Sequence, residues 1–258
     1  MEAWKRTVYI SFLCTFCTSF GVSQLSPILP LYFHEMGVES AEELARWAGL
    51  ATGVTYLVVC LSAPFWGRMA DKHGRKITLI RSSFGMAICN FIIAFQHTPE
   101  GVVFMRLIQG LVSGFYTACI TLIAAETPLD HTGWALGLLA SAQLSGSLVG
   151  PLIGGYIADE IGIRNDFILV GCLMLIAFIL SYLFIHENYV PNKDKVTLTF
   201  KQLKVALPEF DAIVALCITS FIYAIVLCPC NQLLRYILRA LYHQKRKTLD
   251  LLPGLFFL

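Results

Sequence analysis

The chain has 258 residues, of which 57% are hydrophobic and 14% charged, with a formal net charge of +2 at neutral pH. A soluble domain of this size carries more charge, because its whole surface must face water. Composition therefore excludes an ordinary soluble protein, and nothing in the charge suggests nucleic acid.

Seven apolar runs suit the roughly 30 Å core of a bilayer: residues 8–31, 47–66, 77–95, 102–124, 134–157, 167–185 and 212–227. They predict an all-α, multi-pass membrane protein. Lys5 and Arg6 precede the first run as they would in a signal peptide. The run is too long for a cleaved apolar core and further spans follow, so it reads as the first span. With the N-terminus inside, eleven Lys and Arg fall on the inner side, Arg81 among them, against three on the outer side. That asymmetry sets the orientation.

Span one carries Gly21, Gln24, Pro27 and Pro30. In the outer loop that follows, Ser40 and Glu43 have capping-box spacing and predict a short surface helix leading into span two. Between spans two and three lies GRMADKHGRK, residues 67–76, the densest charge cluster in an apolar region. Gly67 is expected to end span two in a close turn, and Gly74 to supply positive φ. Asp71 is then expected near the start of span three, where free N–H groups favour an anion. Span three contains Asn90. Span four holds Arg106 and Gln109, and a charge inside a span is a functional hypothesis by default. The alternative is an arginine that snorkels to the outer surface.

Span five reads GSLVGPLIGG from Gly146, placing Gly146, Gly150 and Gly154 on one helical face, with Pro151 and Gly155 beside them. Such a face calls for a close partner helix, which this chain is expected to supply only by dimerising. Gln143 lies one turn earlier. Spans one to six show no Asp or Glu near mid-membrane, with Glu126 and Asp159 at span ends. The nine cysteines form no framework: seven lie inside spans, where cysteine acts as a small hydrophobe. Cys14 and Cys17 lack a second ligand pair, so no metal is expected. Residues 187–209 read as a cytoplasmic linker after a six-helix unit at 1–186. A seventh span at 210–228 and an atypical tail at 229–258 follow. Five basic residues of that tail, Arg235, Arg239, Lys245, Arg246 and Lys247, fall on the side where the orientation rule disfavours them, which suggests a frameshift or early stop.

These motifs together carry a resemblance. G-x-x-x-D-x-x-G-R-K over Gly67, Asp71, Gly74, Arg75 and Lys76 resembles the signature loop of the major facilitator superfamily. R-x-x-Q-G at Arg106 is similar to the span-four motif of its proton-coupled members, and the resemblance implies a role in proton coupling. The span-five motif and G-x5-P-I-L-P in span one resemble those of twelve-helix drug/proton antiporters, bacterial multidrug pumps in particular. The likeness covers Trp4 to about Tyr223, hence an N-terminal half. It implies alternating access, with amphipathic or cationic drugs leaving as protons enter, no cofactor beyond the proton motive force, and the loop at 67–76 as an inner gate. Where many such pumps carry an acidic residue in span one, this chain has Gln24, so the proton acceptor stays unassigned. Gln24, Asn90, Gln109 and Gln143 could line a substrate cavity or make interhelical hydrogen bonds. Three alternatives stand beside the exporter: a facilitator for a small metabolite, a non-functional fragment of a pump, and a half-transporter pairing with itself or another half. No convergent His, Asp or Glu set supports an enzyme.

Overall fold

The computed structural model describes residues 2–185 and 187. Among them every regular element is a helix: α1 (Ala3–Glu35), α2 (Ala41–His73), α3 (Arg75–Ala94), α4 (Pro99–Val112), α5 (Phe115–Glu126), α6 (Leu129–Ile161) and α7 (Ile163–Phe184). In hydrocarbon a helix satisfies all its backbone groups within one segment, which is why apolar runs of this length take that form. Six candidate spans result, because α4 and α5 together make one interrupted span, Pro99–Glu126. The predicted seventh span, the tail and the linker beyond Glu187 lie outside the described residues.

The helices outrun the apolar runs that predict them. α2 continues through the basic cluster to His73, with Glu42 and Glu43 in its first turn and Lys72 and His73 in its last. Both ends match the helix dipole. Gly74 then ends it at φ 96°, as the sequence suggests. Three details differ. Gly67 is not a turn residue but lies within α2. The predicted surface helix is the first part of α2 itself. Ser40 occupies the N-cap position but makes no side-chain capping bond.

α1 is the organising element, lying along α6 and α7, while α3 packs on α7 and α2 on α4. One buried cluster gathers Leu25, Tyr32, Phe33, Ile93, Phe167 and Met174. A second gathers Leu79, Phe115, Leu122 and Leu139. Both hold by close contact between side chains, since lipid is as apolar as they are.

Span four is broken, against the expectation of one continuous helix. α4 stops at Val112, Ser113 is extended and Gly114 has φ 115°. Side chains take up the carbonyls of Gly110, Leu111, Val112 and Ser113 at the break, the first of them through Ser113 Oγ at 3.0 Å. Arg81 on α3 donates to Val112 O at 3.0 Å and to Ser113 O at 3.1 Å. Trp66 Nε1 on α2 donates to Leu111 O at 2.6 Å, and the Arg81 guanidinium stacks 3.4 Å from the Trp66 ring. Irregular backbone at membrane depth survives only where protein groups satisfy it in this way. Arg81, counted in the sequence as a loop charge, is a clamp in the second turn of α3.

Candidate functional site

The glycine face of α6 closes directly on α1. A Cβ at Gly146 would lie 2.7 Å from Phe16 O, one at Gly150 would lie 2.6 Å from Phe20 O and against Ser23 Oγ, and one at Gly154 would overlap Gln24. No side chain larger than hydrogen fits, so backbone meets backbone. Ser23 Oγ then donates to Gly146 O at 3.2 Å. The partner helix that the sequence assigns to a second copy is α1 of the same bundle. Pro151 and Gly155 lie half-buried beside this face within an unbroken α6. On the other side of α1, Gly21 faces α7, where a Cβ would sit 3.0 Å from Val170 and 3.1 Å from Met174. Pro27 and Pro30 lie within α1, both half-buried. The span-one and span-five motifs are therefore two faces of one three-helix junction, α1 against α6 and α7.

At that junction sits a pair of side chains that the sequence reading does not connect. Gln24 and Asp166 are both fully buried. Gln24 Nε2 donates to Asp166 Oδ1 at 3.2 Å. The remaining oxygens, Gln24 Oε1 and Asp166 Oδ2, are buried without a hydrogen-bond partner among the described residues. Asp166 escapes a search by hydropathy because it lies in the first turn of α7, one residue ahead of the apolar run that begins at Phe167. Its signal is the length of the helix, which starts at Ile163 rather than at the first apolar stretch.

Arg106 lies in α4 at 9% exposure, so its guanidinium stays inside the bundle rather than snorkelling out. Nη1 donates to Gln109 Oε1 at 3.0 Å, while Nε is buried without a partner among the described residues. Its backbone is tied to α2, for Thr55 Oγ1 bonds Ala51 O at 2.8 Å and Arg106 O at 3.1 Å. Asn90 on α3 is fully buried, donates to Met86 O at 2.8 Å and has no partner for Oδ1 among the described residues. Gln143 is half-buried on α6. Arg106 and Gln109 are thus brought together, as are Gln24 and Asp166, while Asn90 and Gln143 each stand apart from both pairs in their hydrogen bonding.

The loop at 67–76 is arranged differently from expectation. Asp71 lies exposed in the last turn of α2 rather than at the start of α3. The anion at the start of α3 is Glu187, whose carboxylate accepts from Arg75 N–H at 2.9 Å and from Lys76 N–H at 2.7 Å. Lys76 also reaches over the Tyr182 ring of α7, 5.8 Å from its centroid. Glu187 reads from sequence as the first residue of a polar linker, which hides its capping role.

A bundle of six apolar spans with buried polar groups at its helix crossings defines a multi-pass membrane protein. The sequence matches the Major Facilitator Superfamily over residues 11–256, and the chain belongs to that superfamily of transporters. It is 37% identical over 221 residues to the multidrug resistance protein MdtG of Proteus mirabilis, a match covering 86% of this chain and 55% of that one. With MdtG of Serratia proteamaculans the identity is 36% over 222 residues, covering 86% and 54%. The chain thus spans about half the length of these relatives. Among solved structures, the human organic anion transporter MFSD10 is similar with a TM-score of 0.64 at 17% identity, covering 81% of this chain and 55% of that one. The POT family transporter PepTSo gives 0.61 at 17% identity, covering 73% and 40%. At such identities the likeness is one of fold.

Proposed function

We propose that the chain forms the N-terminal bundle of a multidrug exporter that exchanges drug for protons. The observation that carries this reading is the closure of Gly146, Gly150 and Gly154 on α1, which gives the antiporter-like motif of span five a defined mechanical role. The kinship with proteins named for multidrug resistance agrees. In this reading the N-terminus is cytoplasmic and the 67–76 loop forms an inner gate. Amphipathic or cationic drugs leave by alternating access of two bundles about a central site. The proton motive force is the energy source and no cofactor takes part.

Arg106 is the proton-coupling residue in this scheme. Its charge is held away from water without an ion pair among the described residues, so a change in its surroundings acts on it strongly. The test joins this bundle to the second bundle of a relative, in cells stripped of their own pumps. Fluorescent drug accumulation should fall, and collapsing the proton gradient should restore it. Arg106→Ala should abolish the gradient-driven efflux while the protein still reaches the membrane. Efflux that ignores both the gradient and Arg106 would overturn the antiport reading.

A further inference from the structure

The junction of α1, α6 and α7 holds a buried carboxyl group whose one side-chain hydrogen bond among the described residues is to a neutral amide. Asp166 is fully buried and takes part in no ion pair among the described residues. The titratable groups at this end of the packed helices are engaged elsewhere or point outward. On α1, Tyr32 donates to Ile93 O at 2.8 Å, and Glu35 is exposed. On α6, Tyr156, Asp159 and Glu160 are exposed. On α7 itself, exposed Arg164 bonds His97, which follows α3. Among the described residues only the Gln24 side chain reaches the Asp166 carboxyl, through one of its two polar atoms.

In the ionised form this pair wastes hydrogen bonds. The amide N–H satisfies Asp166 Oδ1, and two acceptors remain without donors, Asp166 Oδ2 and Gln24 Oε1. An unpaired charge and two orphaned acceptors in a buried junction are each costly. A single proton removes all three faults at once. Placed on Oδ2, it cancels the charge, turns one orphan acceptor into a donor, and supplies that donor to Gln24 Oε1. A carboxylic acid and a primary amide are complementary in this two-bond pairing, and the terminal torsions of Asp and Gln are soft enough to close it.

We propose that Asp166 is a proton-binding site, with Gln24 as the amide that pairs with its protonated form. The step is a simple protonation: Oδ2 gains a proton from water, and loss of that proton returns the carboxylate. The site reports to the α1–α6 contact, because a Cβ at Gly154 would lie 2.8 Å from Gln24 Oε1. A Gln24 amide released from Asp166 therefore presses on the glycine face that holds the two helices together. Asp166 lies one turn from Gly162, which joins α6 to α7 and faces the outer side in the proposed orientation. A proton arriving from outside has a short way to travel. The role of the site in coupling rests on the antiport reading, whereas its proton occupancy does not.

The test of occupancy uses the 258-residue chain in lipid nanodiscs at pH 7, followed by infrared spectroscopy. A neutral carboxylic acid signal is expected, and Asp166→Asn should remove it while helicity and monodispersity are kept. Gln24→Leu should shift the same signal, because the acid loses its amide partner. If no neutral carboxyl exists at pH 7, or if the signal survives Asp166→Asn and ignores Gln24→Leu, the proposal falls. In the two-bundle version, Asp166→Asn should lose gradient-driven efflux but retain drug–drug exchange. A neutral Asp166 in a protein whose efflux ignores the proton gradient would sink the antiport reading and leave the proton site standing.

Discussion

At Gly150 the room available is less than one methyl group. An added Cβ would meet Phe20 O at 2.6 Å as well as Ser23 Oγ, and the backbone of α1 cannot step aside without moving the whole helix. Gly150→Ala should therefore destabilise the bundle by roughly 1–3 kcal/mol, the usual cost of overpacking. Gly137, on the same helix, has nothing within 4 Å of its missing Cβ. Gly137→Ala should be neutral or stabilising by about 0.5–1 kcal/mol, from helix propensity alone. Thermal unfolding of the two variants in one detergent decides the matter; equal losses would mean that the α1–α6 contact is looser than described. The sequence already distinguished these glycines by spacing, since only Gly146, Gly150 and Gly154 recur on one face with a proline. It could not say which helix fills that face, because partner choice depends on how six helices fold back on one another. Asp166 is hidden for a different reason: it meets Gln24 on α1, far away in sequence, so its own neighbours along the chain do not mark it.

The element with the least support of its own is α4. It is a helix of 14 residues, and its last carbonyls are not continued by a regular helical turn because Ser113 is extended. Arg81 and Trp66 supply the missing donors from two other helices. Arg81→Gln keeps a donor but loses the charge and the fork, and a charge-assisted hydrogen bond is worth about 1.5–3 kcal/mol. Arg81→Lys should recover only part of that loss, because one ammonium cannot address two carbonyls in a fixed plane as a guanidinium does. Urea unfolding in mixed micelles measures the loss, and amide exchange around residues 113–117 should rise in both variants. An unchanged exchange rate there would show that the break is held by packing alone. Span positions were legible in the sequence because hydropathy alone sets them. The break was not, since residues 102–124 read as one span by hydropathy and Ser113-Gly114 carries no charge to mark it. The helix ends escape hydropathy for a related reason. Charged residues such as Lys72 and His73 are compatible with helix where the dipole favours them, so α2 continues well past its apolar part.

On the scale of the whole molecule, the two faces of α6 contrast. The inner face is filled by α1, whereas the outer face presents Leu144, Leu148, Leu152 and Tyr156, with Leu148 and Leu152 exposed by 70% and 77%. α2 presents Tyr56, Leu57, Leu61 and Phe65 in the same manner. Gly49 and Gly53 on α2 and Gly133 and Gly137 on α6 have open space where a Cβ would go. A helix glycine costs about 0.5–1 kcal/mol against alanine, and among the described residues no contact offsets that cost at these four positions. Faces of this kind suit close approach by further helices, and alternating access needs a second bundle to rock against the first. Expressed by itself, the 258-residue chain should insert as a helical bundle and leave drug accumulation unchanged. A second bundle supplied as a separate chain should restore gradient-driven efflux. A cysteine at Leu148, in a background without the native cysteines, should then cross-link to that second chain. Efflux by the short chain alone, with Leu148→Cys joining two copies of it, would show instead that the bundle pairs with itself. Cross-linking in trans without efflux would place the fault in the coupling groups rather than in assembly.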